Sequence, residues 1–351
     1  MNTIFECSQI AGIAAAVPGN AIPLSQFTKQ WGEKEVANVI ASTGITQIRQ
    51  APAGMTASDL CQSAAQRLLH ALNFPPGDID GIVFVSQTSD YIMPATSAVL
   101  QNRLGLDSRV AAFDINYGCS GYVYGLLQAD MLIHAGMCRS VLVLAGDTTT
   151  QLVNPRDRAL RMLFGDGGSA TLVVAGSEQH SYAVRTDGSG AKSLIVPAGG
   201  ARNPRDCTSY IEIETEDGNA RSAENLFMDG VAVLFMALRD APAMISEAIS
   251  LAHWSAEKAT FYGLHQANRF MVDYLTRKMR IAPEATAFSC ADIGNTGPAS
   301  IPVMLAIEHP RLQAEGRLEK SVLCGFGVGF STAATALPLN NTTFLPLVEL
   351  G

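Results

Sequence analysis

Short apolar runs alternate with amphipathic stretches along the first half of the chain. The runs are typical of buried strands, and the amphipathic stretches place their apolar residues at helical spacing. The pattern predicts strands at 8–17, 78–85 and 140–145 and helices at 24–40, 56–72 and 94–104. Since strands that alternate with helices form parallel sheets covered on both faces, we expect an α/β fold.

The second half repeats the organisation of the first. Residues 260–264 predict a strand that leads into a helix, as residues 82–85 do. The turn at Asn295 precedes a helix and a returning strand, as the turn at Cys119 does. Elsewhere in this half the pattern predicts surface strands and loops at 176–226, including the acidic alternation at 211–217, and a long apolar helix or a pair of helices at 227–252.

The spacing of polar residues in the two copies also corresponds. Ser86 and Cys119 are 33 residues apart, and His265 and Asn295 are 30 residues apart. We therefore expect an internal duplication in which each half contains a mainly parallel sheet. The halves are predicted at 1–175 and 176–351.

Cys119 lies in a Gly-Cys-Ser-Gly turn between a strand-like run and an apolar helical run. Gly118 and Gly121 let the backbone approach a substrate closely, and Ser120 is placed to cap the following helix. The N-terminus of that helix is expected to lower the pKa of the thiol by stabilising the thiolate. Cys119 is therefore a candidate nucleophile. A buried structural cysteine is the alternative, and a nucleophile needs a histidine partner elsewhere in the chain.

The composition is that of a compact enzyme. With 48% hydrophobic and 16% charged residues, the 351-residue chain can form a substantial core and carries too little charge for a disordered protein. The net charge of −8 argues against a general nucleic-acid binder, because phosphate recognition needs clustered Lys and Arg. An acidic partner would need a local basic surface.

The seven cysteines are spread along the chain without CxxC spacing, which argues against a zinc site or a redox pair and favours reduced residues in the core. The first basic residue is Lys29, and no apolar run is long enough to span a membrane. Neither a signal peptide nor a membrane span is expected. A cytoplasmic location is the corresponding prediction.

The duplication gives Cys119 two potential partners. Turns at equivalent strand ends of two packed halves converge, so His265 in HQAN and Asn295 in GNTGPAS are expected beside Cys119. A lone histidine at a strand end, or an asparagine before Thr-Gly, is usually structural. Their occurrence together with Cys119 favours a catalytic site.

These three turns, together with GFGVGF at 325–330, resemble the motifs of the ketoacyl-acyl carrier protein synthase III family of the thiolase superfamily. The likeness covers nearly the whole chain, and includes Ala11-Gly12-Ile13, Thr43-Gly44-Ile45, Phe164-Gly165-Asp166-Gly167 and Met228-Asp229-Gly230. It implies a duplicated thiolase-like fold layered α-β-α-β-α and a homodimer. It also implies that no cofactor is needed beyond the acyl thioester substrates.

The reaction that the resemblance implies is a Claisen condensation. Cys119 accepts an acyl group as a thioester, and a malonyl unit on acyl carrier protein loses carbon dioxide and attacks that group. The enolate oxygen needs hydrogen-bond donors, which His265 and Asn295 can each supply. By the same resemblance, the backbone N–H groups of Cys119 and Val328 form the oxyanion hole. A dinucleotide-binding loop at GFGVGF is a weak alternative, because the spacing is GxGxG and a β-like segment follows.

The chain departs from the family where coenzyme A binds. Members that use a coenzyme A primer usually have a Trp and an Arg where this chain has Asn38 and Ser42, so either acyl-CoA or an acyl carrier protein is open as the acyl donor. Arg158 matches a family position that contacts coenzyme A, although a solvated surface arginine is an equal alternative. The other predicted substrate-binding residues are Asn268 and Phe227, and Tyr91, Ile92 and Met93 are candidates for the pocket lining.

An acidic carrier protein predicts a basic docking surface, for which the helix after His265 is the candidate. Arg277 and Lys278 match a basic pair of the family, and Arg269 lies nearby on the same helix. Phe270 stands where the family often has an arginine. A merely solvated helix face is the alternative.

Two reactions remain open. One is decarboxylative condensation in fatty acid or specialised acyl synthesis. The other is transfer of the acyl group from Cys119 to an amine or hydroxyl of a sugar or natural-product acceptor, with His265 as general base. Asn295 favours condensation, because transfer to an amine or alcohol needs no donor for an enolate. A degenerate partner subunit is disfavoured, since all three polar residues are present.

Overall fold

The protein is represented by a computed structural model that describes residues 2–215 and 218–351, so the last two residues of the strand predicted at 211–217 lie outside the described residues. The strands are β1 Asn2–Pro18, β2 Ala21–Pro23, β3 Gln47–Arg49, β4 Gly81–Val85, β5 Ala111–Ile115, β6 Ser140–Asp147, β7 Gly167–Ala175, β8 Glu178–Thr186, β9 Leu194–Ile195, β10 Ile213–Glu214, β11 Ala220–Arg221, β12 Phe227–Met228, β13 Phe261–Leu264, β14 Ser321–Gly327, β15 Ser331–Leu337, β16 Thr343–Phe344 and β17 Val348–Leu350. The helices are α1 Thr28–Trp31, α2 Glu33–Thr43, α3 Ala57–Ala71, α4 Thr96–Arg103, α5 Gly121–His134, α6 Arg158–Arg161, α7 Gly230–Leu251, α8 Arg269–Lys278 and α9 Ser300–Ala314.

Five strands of the first half form a mainly parallel sheet in the order β5-β4-β6-β7-β1. β4 pairs in parallel with β5 and β6, and β7 runs antiparallel between β6 and β1. Every residue of β4 and β6 is buried, as expected for central strands that are covered by helices on both faces.

The second half repeats this arrangement in the order β13-β14-β15-β8, with β13 parallel to β14 and β15 antiparallel between β14 and β8. The counterpart of β5, expected near Phe288, is reduced in the described structure to a bridge between Tyr262 and Thr286. The side chain of Gln266 explains the difference, because it binds the carbonyl of Ala287 and the N–H of Ser289 in place of a neighbouring strand.

Helices cover and separate the two sheets. α3 and α4 pack on the outer face of the first sheet, and α7 packs on the outer face of the second. α5 contacts β4 and β6 of the first sheet and β14 and β15 of the second, so it lies between them, and α9 likewise contacts both. The predicted α-β-α-β-α fold is confirmed.

β1 joins the two sheets. Its first residues pair with β8 and its later residues pair with β7, with the change of partner at Ser8. A buried polar cluster marks this junction, where Asp130 accepts hydrogen bonds from Ser8 (2.6 Å) and Tyr182 (2.7 Å) and contacts His180 (2.8 Å). The boundary between residues 175 and 176 stays a prediction, and it falls between β7 and β8.

Local sequence explains where several elements begin and end. The helix predicted at 24–40 is interrupted at Gly32, whose φ of +83° is a backbone conformation that favours glycine, so α1 and α2 are separate. α3 starts after Thr56, which forms a capping box with Asp59. The helix predicted at 227–252 begins at Gly230, because Asp229 caps it through the N–H groups of Val231 and Ala232.

Candidate active site

Cys119 lies in the turn between β5 and α5, directly against the backbone of β14. A Cβ atom on Gly327 would lie 2.9 Å from the Cys119 sulfur, and one on Gly325 would lie 2.5 Å from the Cys119 carbonyl oxygen. Only glycine therefore fits at these two positions. GFGVGF forms the end of β14 and the turn into β15, so it is followed by a strand and not by the helix that a dinucleotide loop requires.

Ser120 occupies the N-cap position of α5, but its side chain does not cap the helix, contrary to expectation. Its hydroxyl oxygen lies 2.6 Å from that of Ser331 in β15. Ser331 in turn donates to the carbonyl of Val328 at 2.8 Å. Ser120 therefore fixes the nucleophile turn to the GFGVGF turn.

The prediction of a lowered thiol pKa is wrong. Burial raises the pKa of Cys119 to about 12, and the negative charge of Asp147 acts in the same direction. The loss of solvation is the largest of these effects, and a backbone hydrogen bond at Cys119 opposes it. The resting nucleophile is a thiol, and its proton must leave during attack on a thioester.

His265 follows β13 directly, and its side chain is buried. Its Nδ1 lies 2.6 Å from the hydroxyl of Ser300 at the start of α9. The N–H of Gln266 donates to the same hydroxyl oxygen at 3.4 Å, which leaves the Ser300 proton for Nδ1, and in that tautomer the ring proton lies on Nε2. Burial lowers the pKa of His265 to about 3, so the imidazole is neutral at pH 7.

Asn295 lies in the turn before α9. Its Oδ1 accepts a hydrogen bond from the N–H of Gly297 at 3.0 Å, which leaves Nδ2 as the free donor. The backbone of Asn295 pairs with Leu163 (2.9 Å) and Gly165 (3.0 Å) of the FGDG segment. A side chain at Gly165 would collide with the carbonyl of Ile293, so this segment has a structural part in holding the turn.

Cys119, His265 and Asn295 line one cavity of about 110 Å³, which we call the His265 cavity. Asn268 also lines it, while the Oδ1 of Asn268 caps α8 by accepting from the N–H of Met271 at 2.9 Å. The rest of the lining is mostly apolar, with Leu163, Phe164, Met228, Val233, Leu234, Met271 and Phe326. The structure thus brings together the three residues that the sequence singled out.

The backbone N–H groups of Cys119 and Val328 bind no carbonyl or side-chain oxygen in the part of the chain that the structure describes. Both residues line a second cavity of about 270 Å³, the Asp147 cavity, which shares Cys119, Phe164 and Leu194 with the His265 cavity. Two unpaired N–H groups beside a nucleophile are what an oxyanion hole requires. Their role stays a prediction.

Asp147 is a site residue that the sequence reasoning missed. It ends β6, lies in the cavity wall and is only 3% exposed. Burial raises the pKa of Asp147 to about 6, although hydrogen bonds from Ser86, Gln87 and Thr88 oppose this shift. The available signal was its position, because polar residues at the carboxyl ends of parallel strands face the common edge where sites form.

The structure does not bring two predicted substrate-binding residues to either cavity. Arg158 lies 3.4 Å from the carboxylate of Glu35 and lines neither cavity. Phe227 packs its ring under the guanidinium of Arg221, while Leu226 and Met228 on either side of it line the two cavities. Phe227 lies in the two-residue strand β12 before α7, and not in the helix predicted at 227–252. Tyr91, Ile92 and Met93 are exposed and line neither cavity.

The three basic residues of α8 make different contacts. The guanidinium of Arg269 stacks on the ring of Phe288, 4.1 Å from its centroid. Arg277 and Lys278 are exposed at the C-terminal end of the helix, with their side chains against the carbonyls of Asp273 and Leu238. All three residues are exposed, so each can meet a partner.

Comparison with known proteins defines the family. The chain matches the family model described as 3-oxoacyl-[acyl-carrier-protein (ACP)] synthase III over residues 113–188, and the model of its C-terminal part over residues 249–339. A beta-ketoacyl-[acyl-carrier-protein] synthase III of Lactococcus lactis is 30% identical over 95% of this chain and 99% of the relative. The chain belongs to the 3-oxoacyl-[acyl-carrier-protein] synthase III family.

Solved structures agree with this assignment. A crystal structure of 3-oxoacyl-(acyl-carrier-protein) synthase III superimposes with a TM-score of 0.88 at 36% identity, covering 95% of this chain and 99% of the other. A 3-oxoacyl-(acyl-carrier protein) synthase of Burkholderia xenovorans gives a TM-score of 0.91 at 32% identity, covering 100% and 99%. Within the described residues, no helix is long and apolar enough to cross a membrane. His, Cys, Asp and Glu side chains of the same residues form no group of three suited to a metal ion.

Proposed function

We propose that the protein is an acyltransferase of the 3-oxoacyl-[acyl-carrier-protein] synthase III type, which condenses an acyl group on Cys119 with malonyl-acyl carrier protein. One observation carries this proposal. The Nδ1 of His265 and the Oδ1 of Asn295 are both occupied by the protein, so each residue keeps one donor for a ligand in the cavity that they share with Cys119. Two neutral donors suit an enolate oxygen.

The first half-reaction acylates Cys119. The sulfur attacks the thioester carbonyl, and the N–H groups of Cys119 and Val328 stabilise the tetrahedral oxyanion. The carbon–sulfur bond to the donor then breaks, and the thiol proton of Cys119 ends on the departing thiol. No cofactor is needed for this exchange.

The second half-reaction forms the carbon–carbon bond. Malonyl thioester loses carbon dioxide, and the resulting enolate oxygen is stabilised by Nε2–H of His265 and Nδ2–H of Asn295. The enolate carbon attacks the acyl carbonyl, and the Cys119 thiolate departs and regains a proton. With a pKa of about 3, His265 is a poor general base, which disfavours transfer to an amine or hydroxyl acceptor.

The acyl carrier protein is the proposed partner. Its thioester arm would enter through the His265 cavity past Asn268, and its acidic surface would meet Arg277 and Lys278. Arg158 is paired with Glu35, and Asn38 and Ser42 stand where members that use coenzyme A usually have Trp and Arg. Both features favour a carrier protein over coenzyme A as the acyl donor.

A homodimer and a cytoplasmic location complete the proposal. β5 is an edge strand of the central sheet, and its Phe113 is exposed, as are Ile92 and Met93 of a nearby loop. An uncovered strand edge with apolar side chains favours pairing with a second copy. All seven cysteines are free, which fits a reducing compartment.

The test is incubation of the protein with an acyl thioester and malonyl-acyl carrier protein, with the products separated by mass spectrometry. We expect a ketoacyl-acyl carrier protein and carbon dioxide. A parallel reaction contains amine and sugar acceptors in place of the malonyl substrate. Acyl esters or amides in that reaction, without ketoacyl product in the first, would replace condensation by simple acyl transfer.

A further inference from the structure

The Asp147 cavity has a mixed lining. Leu152, Phe164, Leu194, Val196, Leu226 and Val328 form its apolar part. Thr88, Thr149 and the Asp147 carboxylate are polar, and Gln87 and Asn116 add polar groups where the wall is exposed. Its volume of about 270 Å³ suits a short acyl group.

The two oxygens of Asp147 have different environments. Oδ1 accepts four hydrogen bonds, from the Ser86 hydroxyl (2.8 Å), the Gln87 N–H (2.7 Å), and the N–H (3.1 Å) and hydroxyl (3.0 Å) of Thr88. Oδ2 accepts no hydrogen bond from any residue that the structure describes. Gly297 leaves the space over Oδ2 open, since a Cβ atom there would lie 3.1 Å from it.

Oδ2 is accessible within the cavity, where water can donate to it, so a ligand hydroxyl that replaces this water finds an acceptor there. The four donors at Oδ1 already stabilise the negative charge, so the missing partner need not be a cation. A neutral donor is sufficient. The Thr88 hydroxyl is already used, since it donates to Oδ1 of Asp147 and accepts from the Thr148 N–H, so Thr149 is the hydroxyl of this lining that suits a ligand which donates and accepts hydrogen bonds.

We propose that the Asp147 cavity takes a short acyl group bearing a hydroxyl, which donates a hydrogen bond to Oδ2 of Asp147. This rests on the proposed function, in which the acyl group on Cys119 occupies the cavity. The same carboxylate excludes acyl groups that carry their own carboxylate, because two unpaired negative charges would meet in a poorly solvated space. The cavity thereby keeps dicarboxylic acyl groups off Cys119.

The test compares acylation rates of Cys119 by N-acetylcysteamine thioesters at pH 8, followed by intact-protein mass spectrometry. The thioesters are butyryl, 2-hydroxybutyryl, both enantiomers of 3-hydroxybutyryl, and succinyl. We expect at least one hydroxylated thioester to react about ten-fold or more faster than butyryl, and succinyl to react slowest. If butyryl reacts as fast as every hydroxylated thioester, the cavity has no preference for a hydroxyl group and this proposal is wrong. The proposed function would be unaffected by that result. If none of the thioesters acylates Cys119, both the hydroxyl preference and the proposed function are contradicted.

The variant Asp147→Asn separates the charge from the shape. It retains an oxygen that accepts the hydrogen bonds from Ser86, Gln87 and Thr88. We expect this variant to lose most of the preference for hydroxylated thioesters, and we expect its acylation by succinyl thioester to be at least ten-fold faster than in the wild-type protein. Thr149→Val is the matched control, because it removes a polar group of the same cavity and leaves the carboxylate in place, so succinyl should still be rejected. An equal increase in the rate of succinylation in both variants would contradict the role of Asp147. If Asp147→Asn does not fold, the wild-type rates decide alone.

Discussion

The Nδ1 of His265 lies 2.6 Å from the hydroxyl oxygen of Ser300, at the first residue of α9. Both side chains are buried, so neither can exchange this contact for water. The contact fixes the ring orientation and directs Nε2 to the cavity that contains Cys119. Ser300 is therefore a positioning residue for the donor that His265 presents.

Replacement of Ser300 should affect the two half-reactions unequally. In Ser300→Ala the buried Nδ1 loses its partner, which costs about 1–3 kcal/mol, so we expect condensation to slow by about ten-fold or more while acylation of Cys119 changes little. Single-turnover kinetics of each half-reaction measure this difference. Ser321→Ala is the control, because Ser321 is buried in the same fold and, among the residues that the structure describes, its hydroxyl donates only to the Leu318 carbonyl. An equal loss in both half-reactions would indicate a general packing defect.

The donor on Asn295 should matter for condensation alone. Asn295→Asp keeps an acceptor for the Gly297 N–H but replaces Nδ2 by an oxygen, so the enolate loses one donor. Loss of one such donor typically lowers kcat by about 100- to 1000-fold. We expect this reduction in ketoacyl product, with acyl-Cys119 still formed. Unchanged product formation would show that Asn295 does not contact the enolate.

The raised pKa of Cys119 predicts its alkylation profile. Since the thiolate is the reactive form and the pKa is about 12, the rate with iodoacetamide should rise about ten-fold per pH unit between pH 7 and 9.5, without a plateau. Peptide mapping follows Cys119 separately from the exposed Cys207, which serves as an internal reference. A plateau for Cys119 below pH 8 would mean that the helix N-terminus outweighs burial.

Gly327 leaves room for the nucleophile. A methyl group there would lie 2.9 Å from the Cys119 sulfur and 2.8 Å from its Cβ. In Gly327→Ala we expect acylation to fall by at least about 100-fold, because displacement of the sulfur by a fraction of an ångström disturbs attack. The control is Gly77→Ala, since no atom lies within 4 Å of a Cβ at Gly77. Normal acylation in Gly327→Ala would show that the turn can relax.

The duplicated pattern allowed Cys119, His265 and Asn295 to be placed together from sequence, because each follows a strand end in a repeated unit. Their partners could not be placed in this way. The contact between His265 and Ser300 depends on how α9 packs against β13, and the space over Oδ2 of Asp147 depends on the missing side chain of Gly297.

The other predictions were limited because the sequence does not show how a side chain packs in the folded protein. Phe227 sits in a two-residue strand, too short for alternation to indicate which face is buried. The sequence showed Arg269 as a free cation, whereas tertiary packing stacks it on Phe288. The thiol pKa was predicted from the helix alone, and the desolvation that dominates it depends on the complete fold.

The most direct test of the account uses isolated acyl-enzyme. Protein acylated on Cys119 is freed of excess thioester and mixed with malonyl-acyl carrier protein, and both proteins are followed by intact mass. We predict that the acyl mass leaves Cys119 and appears on the carrier protein as a ketoacyl chain, with loss of one carbon dioxide, and that Asn295→Asp retains the acyl group. Persistence of acyl-Cys119 in the wild-type protein, with the malonyl group intact on its carrier, would contradict condensation at this site.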